Sequence, residues 1–580
     1  APDPRRHFPD LGKAVQRLRQ ACKQGERLAI CGDYDADGMT STALLVGVLR
    51  HLGAQPQAEI PSRLDDGYGL NSGMVERLAA DGIRLLVTVD NGIAAREALL
   101  RAQQLEMDVV VTDHHTLPEE LPPLLALLHP ACTPENSPYR GLAGVGLAYV
   151  LAMALARNCR SEQGLAMARD LFCIGTIADM APLQGVNRRW LIDGLPALKR
   201  SGLAGLQALQ QVAGLEDAPV DAGAVGFQIA PRINAVGRLG DPQLVVDLLT
   251  TADEEEALEL ARQCEQFNRQ RRDLCDAIEA EARALVEADG ELRSPFLLLA
   301  QSHWHHGVIG IVAARLVDAF GLPVALLASE GDGRLRASVR APRGFAVDAA
   351  LQACSDLLER HGGHPAAGGF TVRAEQITAL HARLNERAGT WLKQQGGLRL
   401  VEPEALVQLH ELTPQFWQQL QRLEPFGSGH PAPLFWSSRC RISQQRLLRG
   451  GHLQLTLRQG DAAMRAIAWR WGSEESLPQE VDVAFQLRLN RWNGTEQLQL
   501  ELAALRASSG DGLMLERCNR RYWVSRDGEA LVIRNAAGEE LRGLPDHAGG
   551  CTIHSDHPSG THPYVQALLQ DAAMAMGLAA

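Results

Sequence analysis

The sequence predicts a multidomain α/β protein that begins with a parallel-sheet domain and ends in smaller β-rich parts. A chain of 580 residues is too long for one hydrophobic core, so several domains are expected. Near the N terminus, apolar runs of strand length alternate with helical patterns at residues 11–22, 39–51, 71–80 and 94–104, which is typical of a parallel sheet covered by helices. After residue 400, short strands with alternating leucines replace that pattern, as in residues 453–458.

These patterns divide the chain into five expected parts. They are a parallel-sheet α/β domain (1–200), a helical connector (201–293), a second α/β domain (294–390), a β-barrel (391–508) and a small C-terminal appendix of unknown role (509–580).

Acidic side chains follow the first predicted strand. The apolar run 28–30 leads to three aspartates at alternate positions: Asp33, Asp35 and Asp37. Ionised together on one face they would repel one another, and a divalent cation would remove that repulsion. A solvated acidic turn is the alternative. The helix that follows is expected to be capped by one of three hydroxyl residues, Thr40, Ser41 or Thr42.

Later segments carry similar side chains. Residues 84–89 lead to Asp90, and an apolar segment that begins near Cys173 contains Asp179. The run 108–112 leads to three polar residues: Asp113, His114 and His115. Because ligands collect at the carboxyl ends of strands in an open parallel sheet, we expect these side chains to share one rim. Carboxylates with one or two imidazoles suit manganese or magnesium.

Four motifs resemble those of the DHH phosphoesterase superfamily. They are Asp33-Tyr34-Asp35-Ala36-Asp37-Gly38, Asp90-Asn91-Gly92, Asp113-His114-His115 and Gly175-Thr176-Ile177-Ala178-Asp179. Five further motifs are similar to those of the RecJ family of bacterial single-strand-specific exonucleases: residues 231–238, 305–313, 333–340, 362–369 and 423–427. The resemblance extends over residues 8–506.

The resemblance implies a DHH domain, a DHHA1-type substrate-binding domain and an OB fold for the first, third and fourth parts. It also implies hydrolysis with two divalent ions, manganese or magnesium. The expected metal ligands are Asp33, Asp35, Asp37, Asp90, His114 and Asp179. Other superfamily members place a histidine near Cys31, so the role of Asp33 stays open. Catalytic roles are expected for His114, His115 and Asp113, the last as a support for a ligand.

Phosphate-binding residues are expected beyond the metal site. Arg334, Arg336 and Arg340 alternate with Ser338, which places guanidinium groups on one face of a strand. A solvated edge strand is the alternative. The expected set of substrate-binding residues is Arg63, Arg232, Asn234, Arg238, His305, Ser338, Arg340 and His364.

The barrel segment interleaves aromatic residues with arginines. Exposed aromatics and arginines on short strands fit an OB barrel that stacks unpaired bases, although some of the rings must belong to the core. The residues expected to contact single-stranded DNA are Phe426, Trp469, Arg470 and Trp492.

Composition adds few constraints. The net charge of −12 counts weakly against nucleic acid, because local arginine clusters decide contact. The 11 cysteines contain no Cys-x-x-Cys, which is typical of a reducing compartment. No run has transmembrane length and no signal peptide is visible. We therefore expect a cytoplasmic protein without membrane contact.

The favoured hypothesis is a metal-dependent 5′→3′ exonuclease that degrades single-stranded DNA to mononucleotides in DNA recombination and repair. The strand polarity and the product come from the resemblance. We expect a monomer, with a single-strand-binding protein and a helicase as candidate partners. The alternatives are a small-substrate DHH phosphodiesterase, acting on an oligonucleotide or cyclic dinucleotide, and a non-catalytic replication scaffold.

Overall fold

The structure is a computed structural model that describes residues 2–61, 69–159, 162–216, 218–288, 294–394, 401–448, 451–469, 471, 477–492, 495–508, 512–518, 520–527, 530–545, 553–555 and 557–576. The chain forms two compact units. Unit 1 comprises Ala1–Leu398 and Pro425–His430, and unit 2 comprises Arg399–Glu424 and Pro431–Ala580. No helix among the described residues is long and apolar enough to cross a membrane.

A parallel sheet forms the centre of the first domain, as predicted. Its strands are β1 (Arg27–Cys31), β2 (Gln55–Glu59), β3 (Leu85–Val89), β4 (Asp108–Thr112) and β5 (Ala126–Leu128), in the order β2-β1-β3-β4-β5. The helices around it are α1 (Leu11–Gln24), α2 (Ala36–His51), α3 (Ser72–Ala80), α4 (Arg96–Gln104), α5 (Gly144–Cys159), α6 (Glu162–Ala178) and α7 (Gly185–Leu198).

The alternation along β1 explains the two layers of helices. Leu28 and Ile30 join one apolar cluster, whereas Ala29 and Cys31 join another on the opposite face. Helix α2 starts earlier than expected, because the Asp35 carboxylate caps it by accepting the N–H of Gly38 at 3.0 Å. The cap predicted at Thr40, Ser41 or Thr42 is therefore wrong.

The predicted connector is helical. Its helices are α8 (Ala204–Val212), α9 (Ala222–Ala224), α10 (Ala230–Leu239), α11 (Gln243–Thr250) and the long α12 (Glu254–Ala288), with a π-helix at Val225–Ile229. Leu206 and Cys264 still belong to the core of the first domain. The core of that domain therefore extends beyond residue 200.

The second α/β domain contains one mixed sheet. Its strands are β6 (Leu297–Ala300), β7 (Val324–Gly331), β8 (Arg334–Arg340), β9 (Arg360–His364) and β10 (Ala367–Arg373), in the order β6-β7-β8-β10-β9. Its helices are α13 (His306–Phe320), α14 (Val347–Gln352) and α15 (Ile377–Gln394).

Unit 2 contains a closed barrel and a separate small sheet. The barrel segment includes β11 (Ala405–Leu406), α16 (Pro414–Gln421), β12 (Phe435–Leu448), β13 (His452–Gln459), β14 (Ala462–Ala468), β15 (Glu480–Trp492) and β16 (Thr495–Ala507). Pairing of β12 with β15 closes the barrel. The appendix contains β17 (Leu513–Arg517), β18 (Arg520–Asp527), β19 (Ala530–Asn535), β20 (Glu540–Pro545), β21 (Ile553–His554) and α17 (Pro563–Ala575).

Candidate metal centre and substrate-binding residues

Asp37 is held by the first turn of α5. Its two carboxylate oxygens accept the N–H groups of Gly144 and Val145, each at 2.7 Å. A helix N-terminus stabilises a negative charge, so this contact compensates part of the cost of burying Asp37. A side chain at position 144 would place its Cβ 2.5 Å from Asp90 Cβ. The glycine therefore permits the close packing of α5 against the end of β3.

Asp90 and His114 meet beside Asp37. Asp90 adopts a positive φ of 62° at the end of β3. His114 Nε2 lies 2.9 Å from Asp90 Oδ1 and 3.9 Å from Asp37 Oδ2. Buried carboxylates from two strand ends thus share one imidazole.

Asp113 is engaged by groups of the protein itself. One of its oxygens accepts the N–H of Ile93 at 2.9 Å, and the other lies 2.8 Å from His115 Nδ1. Asp113 thus contacts the His115 ring, and its expected role as a support for a metal ligand stays a prediction.

Three groups of side chains bring their ligand atoms within 4.8 Å of one another. The groups are Asp33, Asp35 and Asp90; Asp37, His114 and Asp179; and Asp90, His114 and His115. Because the groups share Asp90 and His114, they form one cluster, called here the rim cluster. It contains all six expected metal ligands together with His115, whereas Asp113 belongs to none of the three groups.

The rim cluster concentrates negative charge in a poorly solvated place. Burial, and then the nearby charges of Asp90 and Asp179, raise the pKa of Asp37 well above its usual range. Burial and neighbouring aspartates also raise the pKa of Asp90. Burial raises the pKa of Asp179 to about 6, against the opposing influence of His114.

Asp113 behaves differently from these aspartates. Burial alone would raise its pKa, but hydrogen bonds from the His115 ring and from the N–H groups of Ile93 and His115 lower it. Asp113 is therefore stabilised as an anion by the protein, whereas the raised pKa values of Asp37, Asp90 and Asp179 indicate carboxylates that still need positive charge.

The donor set fits hard divalent cations. Carboxylate oxygens dominate the rim cluster, imidazole nitrogen supplies the rest, and no thiolate is among the grouped residues described. Oxygen-rich sites with imidazole suit manganese and magnesium. A cation would also offset the burial and the mutual repulsion that together raise the pKa values of Asp37 and Asp90.

Two supporting residues were not predicted. His129 Nε2 donates to the carbonyl oxygen of His115 at 2.7 Å, while its Nδ1 accepts the N–H of Ala131 at 3.1 Å. The Asn91 amide donates to the carbonyl oxygens of Cys31 and Val89 at 3.0 and 2.9 Å, and so ties β1 to β3. Asn91 belongs to a motif already singled out, but His129 stands apart from any motif.

Helix α10 links the first motif to the second α/β domain. Asn234 Oδ1 accepts the N–H of Ala36 at 2.9 Å, and Arg238 Nη1 donates to the carbonyl oxygen of Gly307 at 2.9 Å. Arg232 is only 7% exposed and its Nε lies 2.8 Å from Glu265 Oε2 of α12. The predicted phosphate contact of Arg232 is not supported, because its guanidinium is occupied within the packing of α10 against α12.

The second domain places its predicted residues around α13. His305 caps this helix through Nδ1, which accepts the N–H of Gly307 at 3.0 Å. A Cβ on Gly310 would lie 3.1 Å from Arg340 Nη2 and 3.4 Å from Ser338 Oγ. Both side chains therefore lie beside the first turns of α13.

His364 shares a row with Arg340 across the sheet. Ala367 of the middle strand β10 pairs with Arg340 on one side and with His364 on the other. Directly opposed residues of paired strands point to the same face, so Arg340 and His364 share a face. Arg63 lies outside the described residues.

The predicted single-strand-binding residues are divided between the units. Phe426 stacks on His430, with ring centroids 5.5 Å apart, in the segment Pro425–His430 of unit 1. Trp469 follows β14 of the barrel and is 57% exposed. Trp492 ends β15, but its side chain and all of Arg470 lie outside the described parts of the chain.

Family models match three segments of the chain. The DHH family N-terminal domain matches residues 27–176, the DHHA1 domain matches residues 294–390, and the RecJ OB domain matches residues 404–504. The parallel-sheet, second α/β and barrel domains are therefore confirmed as these three types.

Curated relatives cover most of the chain. The single-stranded-DNA-specific exonuclease RecJ of Bacillus subtilis is 35% identical over 88% of this chain. This chain spans 65% of that relative's length. The protein of the same name from Thermus thermophilus is 37% identical over 86% of this chain and 71% of its own length.

Solved structures agree with these relatives. The crystal structure of RecJ from Thermus thermophilus in complex with Mn²⁺ has a TM-score of 0.75 and 34% identity, and it covers 87% of this chain and 73% of that one. The corresponding complex with Mg²⁺ has a TM-score of 0.69. The expected cofactor, manganese or magnesium, agrees with these complexes and with the donor set of the rim cluster. On the identity and coverage of these relatives, the chain belongs to the RecJ family of single-stranded-DNA-specific exonucleases, within the DHH family.

Proposed function

We propose that this protein is a metal-dependent exonuclease that removes mononucleotides from the 5′ end of single-stranded DNA. The observation that carries the proposal is the rim cluster, which brings together all six expected ligands from the ends of β1, β3 and β4 and from the end of α6. The RecJ relatives are single-stranded-DNA-specific exonucleases by name. The OB barrel also favours a DNA strand over a small molecule as the substrate, because a small-substrate phosphodiesterase needs no barrel.

Two ions would be held by different parts of the rim cluster. Asp33, Asp35 and Asp90 would bind one ion, and a second would be bound by the other compact group, Asp37, His114 and Asp179. When bound, such ions supply an activated water and neutralise the negative charge that develops on the scissile phosphate.

The protein's own contribution is to position these ligands before the substrate arrives. The N–H groups of Gly144 and Val145 fix the Asp37 carboxylate. Asp113 orients the His115 ring, which places a donor beside the rim cluster for a phosphate oxygen. Pre-positioned donors need little reorganisation during reaction, which lowers the barrier.

The 5′ terminal phosphate would be bound beside α13. Ser338 supplies a hydroxyl, and Arg340 supplies a guanidinium group. Both lie next to Gly310 in the first turns of that helix. Guanidinium groups bind phosphate oxygens through paired hydrogen bonds. Arg238 connects this region to α10, which contacts the first motif through Asn234.

The wider biological role is part of the same proposal. A nuclease restricted to unpaired strands needs another protein to supply them, so we propose a helicase and a single-strand-binding protein as partners. The family resemblance implies work in DNA recombination and repair, and we further propose that the protein is a monomer in the cytoplasm.

The direct test uses one single strand labelled at either end. With Mn²⁺, we expect labelled mononucleotide to appear at once from the 5′-labelled strand, and a descending ladder from the 3′-labelled strand. The opposite result, a descending ladder from the 5′-labelled strand and immediate release of labelled mononucleotide from the 3′-labelled strand, would contradict the proposed polarity. Activity that persists in excess chelator would contradict the metal requirement.

A second experiment tests the 5′ phosphate site. Wild type should prefer a 5′-phosphorylated strand to a 5′-hydroxyl strand, and Arg340→Ala should lose that preference while it still cleaves. Arg334→Ala is the matched control, because Arg334 lies on the same strand but pairs with Glu359. An unchanged preference in Arg340→Ala would exclude Arg340 as the end reader.

A further inference from the structure

A cavity of about 280 Å³ adjoins the rim cluster on its β5 side. His114 and Asp179 form the wall shared with the rim cluster, and His129, Arg140 and Pro182 lie among its other lining residues. The volume lies just below the usual range for ligand pockets, about 300–1,000 Å³. It suits one nucleoside unit and not a longer segment.

Two polar residues of the cavity lining, His129 and Arg140, are held by hydrogen bonds to the backbone. His129 holds the backbone of His115 and Ala131 through its two ring nitrogens. Arg140 donates from Nε to the carbonyl oxygen of Pro134 and from Nη2 to that of Thr133, each at 3.3 Å. These bonds hold the guanidinium of a residue that lines the cavity and is exposed to solvent.

The charge of the described lining favours an anion. Arg140 contributes a permanent positive charge, and Asp179 is the one carboxylate among the lining residues described. Asp179 is itself a candidate metal ligand, so a bound cation would neutralise it. The site therefore presents a guanidinium without a competing free carboxylate.

The cavity lies opposite the proposed 5′ phosphate site along the sheet edge. The strand order is β2-β1-β3-β4-β5. Helix α10, which leads to Gly307 of the second domain, contacts the loop after β1 at Tyr34 and Ala36. The cavity instead uses His129, which directly follows β5. The rim cluster, whose residues other than Asp179 follow β1, β3 and β4, lies between these two places.

We propose that this cavity receives the nucleotide on the 3′ side of the scissile bond, and that Arg140 binds the next internucleotide phosphate. The proposal rests on the proposed function, because it requires a strand whose 5′ end lies on the side of the second domain. A substrate that spans the rim from β1 to β5 then has its scissile phosphate over the rim cluster and its following phosphate at Arg140.

The test compares two short 5′-phosphorylated substrates with Mn²⁺ present. A dinucleotide has a scissile linkage but no phosphate beyond it, whereas a trinucleotide has one. Loss of a charge-assisted hydrogen bond typically reduces kcat/KM by about 10- to 100-fold. We expect Arg140→Ala to show that loss on the trinucleotide and to cleave the dinucleotide as wild type does, which also reports that the variant is folded.

A neutral linkage separates the phosphate contact from a structural role. Wild type should lose the same factor on a trinucleotide that carries a methylphosphonate at its second linkage, and Arg140→Ala should lose nothing further. Arg101→Ala, which removes a surface arginine paired with Glu76, is the matched control and should leave every rate unchanged. The inference would be overturned if Arg140→Ala lost the same factor in kcat/KM on the dinucleotide as on the unmodified trinucleotide. It would also be overturned if the methylphosphonate lowered kcat/KM equally in wild type and in Arg140→Ala. Failure of wild type on every single strand would instead contradict the proposed function itself.

Discussion

Asp37 shows how a carboxylate can be buried next to the other carboxylates of the rim cluster. It is 2% exposed, and its two oxygens accept N–H groups from the start of α5. These bonds stabilise the anion, but burial and the charges of Asp90 and Asp179 outweigh them and raise its pKa. Asp37 is thus poised to gain from a cation while its orientation is already fixed by the backbone.

Gly144 is the residue on which this arrangement depends most directly. In Gly144→Ala, the new Cβ would lie 2.5 Å from Asp90 Cβ and 2.9 Å from Asp90 Cα. We expect a loss of about 1–3 kcal/mol in the free energy of unfolding, because the strand end and the helix must separate. We also expect weaker Mn²⁺ binding, since Asp37 and Asp90 move apart. Chemical denaturation and Mn²⁺ titration measure the two effects.

Gly12→Ala provides the control for that substitution. Gly12 lies in the first turn of α1, and an added Cβ there meets nothing within 4 Å. Alanine has the higher helix propensity, so stability should stay equal or rise. Unchanged Mn²⁺ affinity and stability in Gly144→Ala would contradict the packing argument.

Residues of the site differed in how far the sequence could predict them. Apolar runs that end in Asp90 and His114 identify strand ends, and parallel strands must bring their ends to one edge. The sequence could not predict that Arg232 forms an ion pair inside the protein, because its partner Glu265 lies on another helix. The sequence shows an arginine inside a motif but not the direction in which its side chain points.

At the scale of elements, helices α12 and α13 are joined by ion pairs and by apolar packing. Arg315 of α13 donates to Asp276 at 2.8 Å and to Glu279 at 3.0 Å, both on α12. Arg283 of α12 also donates to Glu279. Apolar residues such as Ile278 and Val312 pack in the same cluster. The long helix is therefore fixed to the second domain by packing and by a small ion-pair network.

This network predicts a pH-dependent stability. Burial alone would raise the pKa of Glu279, but hydrogen bonds from Arg283 and Arg315 lower it below its usual value. A carboxyl whose pKa is lower in the folded state stabilises the fold above its unfolded pKa, about 4.3, and this stabilisation is lost as the pH falls. Glu279→Gln should therefore lower the unfolding temperature at pH 7, with a difference that shrinks below about pH 4.

Glu287→Gln is the matched comparison, because Glu287 is exposed on the same helix. Its effect on the unfolding temperature should be small at both pH values. A Glu279→Gln difference that stays constant from pH 7 to pH 4 would show that the carboxylate does not stabilise α12 through its charge.

The start of α2 shows why the sequence pattern did not predict the first residue of a helix correctly. The first motif offers several residues that can cap a helix, and hydroxyl residues were expected to do so. In the structure, Asp35 caps the helix, while the hydroxyls of Thr40 and Thr42 donate to the carbonyl oxygens of Ala36 and Gly38 one turn earlier. Asn234 of α10 also accepts the N–H of Ala36 at this helix start, a contact from a distant part of the chain that a local sequence pattern does not show.

At the scale of the whole molecule, we propose that unit 2 contributes single-strand binding through its barrel, in addition to the substrate contacts that unit 1 makes near the rim cluster. The rim cluster belongs to unit 1, whereas the closed barrel belongs to unit 2. Trp469 is the described barrel residue with the clearest stacking surface, and its ring meets His452 edge to face at 5.0 Å. An exposed ring beside a strand is a suitable platform for an unpaired base.

Trp469→Ala should therefore separate binding from chemistry. Removal of one stacking platform typically weakens single-strand binding by about 1–3 kcal/mol. We expect that loss with a long strand, and no change in the cleavage rate of a dinucleotide. Trp523→Ala, which removes an exposed tryptophan from the appendix, should leave both quantities unchanged. Equal losses on the long strand and on the dinucleotide would contradict the assignment of strand binding to this ring.

The central claim is that the rim cluster holds two divalent ions, and calorimetric titration of the metal-free protein with Mn²⁺ tests it most directly. Wild type should bind two ions per chain. Asp90→Ala should bind fewer, because Asp90 belongs to two of the three ligand groups, and Asp81→Ala, an exposed aspartate after α3, should still bind two. One ion or none in wild type, or two ions in Asp90→Ala, would contradict the account.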